Sequence, residues 1–183
     1  MAISVTPQIF NYVSFDSGLI ASIATELVES LGMNEYNVTI TVDETTPLAR
    51  TTYNLDDGIN IFSDSGAFED TRKPRQQSEL ATATSLGRVL LRARDRLVGG
   101  FGEAPPDKEL SLAQVAAWET YSMGRLERLG VLVNQQRWRY NFRNRHGFTD
   151  AADAAFEAIF NSDGLTWGEL DSISSATAAA ANT

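Results

Sequence analysis

Apolar residues recur at helical spacing through Ser78–Leu97 (SELATATSLGRVLLRARDRL). Ala83, Leu86, Leu90, Ala93 and Leu97 fall on one stripe and Thr84, Ser85, Arg88, Arg92 and Arg96 on the opposite side, which predicts an amphipathic helix. Ser78 is placed to cap it, Arg94 and Arg96 suit the negative end of its dipole, and Gly99-Gly100 stops it. A second helix is predicted from Ser17 to Leu31, opened by Asp16, carrying Leu19, Ile20, Ile23, Leu27 and Leu31, and ended by Gly32.

Period-two alternation marks the strands. Tyr36, Val38, Ile40 and Val42 alternate with polar partners in YNVTITVD. After a turn at Thr45-Thr46-Pro47, a second strand is expected over Leu48–Leu55 and a third over Ile59–Phe62, joined by Asp56-Asp57-Gly58 as a meander. Residues 1–15 predict a short strand or a packed arm, and Ser63–Gln77, with Gly66, Pro74 and mixed charges, an edge strand or a loop bordering a cleft.

The second half is helical in pattern. Ser111-Leu112-Ala113-Gln114 forms a capping box for a helix through Leu129, with Leu112, Val115, Trp118 or Glu119, Ser122, Leu126 and Leu129 near one side. Residues 131–145 stay open between strand and helix. RWRYNFR alternates with period two, yet Trp138 and Phe142 also pair at i, i+4. Asp150–Phe160 predicts a compact helix, and Thr166–Glu169 caps a short one through Ile173. Ser174–Thr183 is Ala-rich and would fray alone, so a neighbour, such as a second subunit, is expected to hold it.

The segment around Thr84-Ser85-Leu86-Gly87-Arg88-Val89-Leu90-Leu91 resembles the zincin metallopeptidases, in which an edge strand leads into a helix carrying H-E-x-x-H, often H-E-L-G-H, before an apolar run. Glu119 in AWETYSMGRLERL matches the later glutamate that serves zincins as third ligand. The resemblance covers about residues 16–130 and implies an α+β fold: a small antiparallel or mixed sheet of about three to four strands packed on helices. It implies a zincin-like core over 1–130, a C-terminal helical annex over 131–173 and a tail over 174–183. It also places a peptide substrate of the family alongside the segment matching Ser63–Gln77. The chemistry departs from the family, because Thr84, Ser85 and Arg88 replace both imidazoles and the general base. A permanently cationic Arg88 repels a divalent ion, and it is expected to pair with Glu119 in its place.

Charge is distributed in blocks: residues 1–70 carry −10, 71–145 carry +7 and 146–183 carry −6, with fourteen of the fifteen Lys and Arg residues between Arg72 and Arg145. Complementarity within the fold or between subunits is the simplest account. The alternative is a nucleic-acid or anionic-ligand face built from Arg88, Arg92, Arg96, Arg137, Arg139 and Arg143, with the rings of RWRYNFRNRH stacking on bases. The absence of cysteine excludes disulfides, thiolate metal sites and Cys nucleophiles.

The single histidine, His146, is expected in a turn beside Gly147, where it titrates near neutral pH, and it cannot build a multi-histidine metal site. No G-x-S-x-G elbow, phosphate-binding glycine loop or EF-hand pattern is present. With no basic leader and no long apolar run, the expectation is a soluble, acidic, cytoplasmic protein with no membrane segment. The leading expectation is thus a catalytically inactive, metal-free zincin-like domain with no cofactor, acting as a binding or assembly protein through a protein partner or self-association. An unrecognised hydrolase is the third reading.

Overall fold

The computed structural model describes residues 1–180 of the 183-residue chain, so Ala181–Thr183, the end of the Ala-rich tail, lie outside the described residues. The fold is α+β, with six helices, a four-stranded mixed sheet and a two-stranded antiparallel one among the described residues. The chain divides into two compact units, Met1–Ala93 and the remainder from Arg94.

In the first unit the strands are β1 (Ile3–Thr6), β2 (Val38–Asp43), β3 (Thr51–Asn54) and β4 (Ile59–Asp64), in the order β1-β2-β4-β3. β1, β2 and β4 run parallel and only β3 is antiparallel, with Thr51 opposite Ser63 and Asn54 opposite Asn60. The expected meander is corrected. β2 does not pair with β3, because the chain passes out to the edge and returns to lay β4 directly against β2.

The reason is compositional. Val38, Ile40, Val42, Ile59 and Ile61 are all buried and belong in the interior, whereas Thr51-Thr52-Tyr53-Asn54 is polar enough for an edge. Helix α1 (Ser17–Ser30) supplies the crossover between parallel β1 and β2. Its Asp16 cap accepts from the amides of Gly18 and Leu19, and Ile20, Ala24, Leu27 and Val28 are buried along it.

After β4 a short 3-10 turn, Ser65–Ala67, leads to β5 (Glu69–Asp70) and β6 (Lys73–Gln77). Gly66 is required here, because a Cβ would stand 2.1 Å from the Pro47 carbonyl oxygen. Helix α2 (Glu79–Val98) then runs out of the first unit into the second, and Ser78 Oγ accepts from the Ala81 amide at its start. The helix is buried more widely than one stripe requires. Leu86, Val89, Leu90, Leu91 and Ala93 are joined by Thr82, Arg92 and Asp95, while Leu97, expected inside, is exposed.

The second unit contains α3 (Leu112–Arg128), α4 (Gln135–His146), α5 (Asp150–Asn161) and α6 (Trp167–Ala180). The Ser111–Gln114 capping box opens α3 as expected. Leu112 and Leu129 are exposed, however, and the buried face runs through Trp118, Tyr121 and Arg125. Gly124 sets the approach of α3 to α5, because a Cβ would lie 1.8 Å from the Phe160 carbonyl oxygen.

Residues 135–146 are helical throughout, which settles the open alternatives against a strand. Phe142 and His146 share the buried side of this helix, one turn apart. Helix α6 continues past Ile173 to Ala180, and Ser174 and Thr177 are buried within the chain itself. No helix among the described residues is long and apolar enough to cross a membrane.

Candidate functional site

On α2, each of the three positions that the zincin resemblance makes chemical is bonded to backbone of its own unit. Thr84 Oγ1 donates to the Leu80 carbonyl at 2.7 Å, the i−4 bond of a helical threonine. Ser85 Oγ donates to Ala67 O at 2.9 Å, tying the 3-10 turn to the helix. Arg88 Nη2 donates to Thr51 O at 3.1 Å, on the edge strand β3. Glu119 lies half-buried midway along α3 in the second unit.

A hydroxyl and a guanidinium on this face do not fit zinc, which needs deprotonated nitrogen, sulfur or carboxylate donors. Among the described residues, no group of three His, Asp or Glu side chains is placed to hold a metal ion.

Beside the tethered turn, the first unit carries an open pocket of about 360 Å³. Tyr12 and Val13 of the N-terminal arm form one wall, and Glu44, Thr45 and Pro47 after β2 form another. Ser65, Glu69, Pro74 and Arg75 complete it. The arm is held by Glu44, whose Oε2 accepts from the amides of Asn11 at 2.7 Å and Tyr12 at 2.6 Å. The arm also joins β6, the Ser14 amide donating to Arg75 O at 2.7 Å.

Glu69 Oε2 accepts from the Arg75 amide at 3.2 Å. Arg75 itself adopts φ of +64°, a conformation that side chains beyond glycine and asparagine rarely take. Neighbouring Asp43 accepts from Thr45 Oγ1, Thr46 Oγ1 and the Thr45 amide, and these bonds pull its carboxyl from 3.8 down to about 2.

The arginines expected to face an anion are largely engaged. Arg96 donates to Ala104 O and Pro105 O and pairs with Asp107 at 2.6 Å. The helix formed by RWRYNFRNRH turns Arg139 and Arg143 toward α5. Arg139 meets Glu157 there, and Arg143 meets Asp153 through bonds of 2.7 and 2.5 Å. The Arg143 bond is the largest influence lowering the Asp153 carboxyl, and the Arg139 bond does the same for Glu157.

Arg92, named for the anion-binding face, is buried, and Arg137 is exposed above the Trp138 ring. His146 is also corrected. It closes α4 in full burial, with Nδ1 3.1 Å from Phe142 O, Nε2 2.8 Å from Ser174 Oγ, and its ring stacked on Phe142. Burial pushes its pKa below 6.5.

Sequence reasoning missed two features. One is the composition of the pocket: Ser63–Gln77, expected as an edge strand or a loop bordering a cleft, supplies Ser65, Glu69, Pro74 and Arg75, but the other walls come from segments far apart in the chain. The other is a buried ion pair in the second unit: Arg125 binds Asp95 through both nitrogens, each at 2.6 Å, and Trp118 Nε1 donates to the same carboxylate at 2.8 Å. The guanidinium lies 3.7 Å over the Tyr121 ring centroid. Comparison with family models, curated proteins and solved structures finds no match for this chain.

Proposed function

We propose that this chain is a catalytically inactive, metal-free zincin-like domain that works as a binding or assembly module, presenting its first-unit pocket to a protein partner. The observation that carries the reading is the use made of Thr84, Ser85 and Arg88. Their polar atoms hold the helix, the 3-10 turn and the edge strand in place. A helix face committed to its own scaffold supplies no nucleophile, no general base and no metal donor.

The pocket adjoins that scaffold through Ser65 and Ala67, so the tethers give a binding surface fixed walls. Calorimetric titration with zinc tests the reading, and it expects no stoichiometric heat at neutral pH. Tight one-to-one zinc binding contradicts it.

A second reading, an anionic-ligand or single-stranded nucleic-acid surface, is favoured by one observation on α4. Tyr140 on the helix and Phe148 just after its end are exposed and in edge contact with each other, and the exposed Arg137 and Arg145 lie on the helix. Retention on single-stranded DNA that falls steeply with salt would favour it over the first.

A further inference from the structure

We propose that the first-unit pocket receives a lysine side chain of a peptide partner, with its ammonium at the Glu44 and Glu69 carboxylates and a neighbouring acidic side chain of the same peptide on Arg75. The proposal rests on the binding-module reading and names its ligand. At about 360 Å³ the pocket lies at the small end of ligand sites. That volume suits one long side chain and its immediate neighbour.

Val13, Pro47 and Pro74 give the walls an apolar stretch for an alkyl stem, and Tyr12 adds an aromatic ring that is 65% exposed. The two carboxylates are half-buried. Glu44 spends one oxygen on the amides of the arm, Glu69 accepts from the Arg75 amide through one oxygen and from Ser65 Oγ through the other at 3.4 Å, and among the described residues neither makes an ion pair. A half-buried carboxylate that meets neutral donors but no cation offers its remaining lone pairs to an incoming ammonium.

Arg75 explains why the ligand carries both signs. Its amide is fixed by Glu69 and its carbonyl by Ser14, at a φ of +64°. Among the described residues its guanidinium makes no hydrogen bond or ion pair. A bare amine entering the pocket meets this like charge. A ligand with a carboxylate beside its ammonium satisfies Arg75 and the acids together. Backbone fixed on both sides of Arg75 anchors the root of its side chain at the pocket before binding, and the unpaired guanidinium can swing to an incoming carboxylate.

The test is an amide NMR titration of the full chain with three capped dipeptides: acetyl-Lys-Asp-amide, acetyl-norleucyl-Asp-amide without the cation, and acetyl-Lys-Ala-amide without the anion. The first is expected to shift the amides of Tyr12, Thr45 and Arg75 with a dissociation constant of about 1 mM, and the other two to bind at least about fivefold more weakly. Glu69→Gln, which keeps an acceptor for the Arg75 amide, is expected to weaken the first peptide about fivefold. Arg75→Gly, which relieves the positive φ, is expected to erase the preference for Asp over Ala.

Equal binding of the norleucine peptide, an unaffected Glu69→Gln, or shifts confined to other residues overturns the proposal. n-Butylamine binding as tightly as the first peptide overturns it too, in favour of a small-amine site. These failures leave the binding-module reading standing. Chelator-sensitive peptidase activity removes that reading whatever the dipeptides do.

Discussion

Replacing Asp95 by alanine strips the second unit of the acceptor shared by two buried donors. Asp95 is 1% exposed and Arg125 is 6% exposed, so the guanidinium left behind has little water to turn to. Breaking such a pair from one side costs about 3–5 kcal/mol, and orphaning the Trp118 indole N–H costs about 1–3 kcal/mol more. The two losses share one carboxylate and are not additive, so we expect about 4 kcal/mol in total. For a chain of this size that corresponds to a fall in Tm of about 8–16 °C.

The assay is urea unfolding at neutral pH, read by tryptophan fluorescence and by circular dichroism. Pairing Asp95→Ala with Arg125→Met in a double-mutant cycle isolates the origin of the loss. The double variant is expected to recover at least about 2 kcal/mol over the Asp95→Ala single, because no charge is then stranded. A single variant costing less than about 1 kcal/mol, or a double variant no better than the single, refutes the reasoning.

Three further outcomes follow from the same structure. Asp43 should titrate near 2 by carboxyl NMR. Thr45→Ala should move it back toward 3.8, because the Thr45 hydroxyl is the largest of its stabilising partners. His146, with a folded pKa below 6.5, stays neutral while the unfolded chain takes up a proton. Stability is therefore full above that value and falls as pH drops from about 6.5 toward the folded pKa; a pH series of urea midpoints in which His146→Gln flattens this slope checks it. Gly124→Ala should cost at least about 2 kcal/mol in the same urea assay, because its methyl meets rigid Phe160 backbone instead of a movable side chain.

The helices were legible wherever caps and periodicity agreed. Asp16, Ser78, Ser111 and Thr166 all open helices as read, because a cap is a local hydrogen bond that few residues decide. Strand identity was legible too, but strand order was not. Nothing local in Leu48–Phe62 says that the chain returns across β3 to set β4 against β2.

RWRYNFR shows how a period can mislead. Its alternating arginines suit a strand, yet Phe142 with His146 at i+4 and the Arg139 and Arg143 partners on α5 belong to a helix. Asp95 escaped notice because RARDRL reads as a solvated charge run, whereas the burial of Asp95 depends on Arg125 and Trp118 in α3. The same non-locality hid the walls that face Ser63–Gln77 across the pocket. Tyr12, Glu44, Ser65 and Arg75 are brought together by the arm's bonds to Glu44 and Arg75, which no sequence spacing encodes.

The central claim is that the Thr84–Arg88 face of α2 serves as scaffold and performs no chemistry. The most direct measurement is hydrolysis of a mixed pool of quenched fluorescent peptides by the full chain, with zinc added, with chelator added, and with neither. The account predicts one background rate across all three conditions. Turnover that zinc raises and chelator abolishes would contradict it.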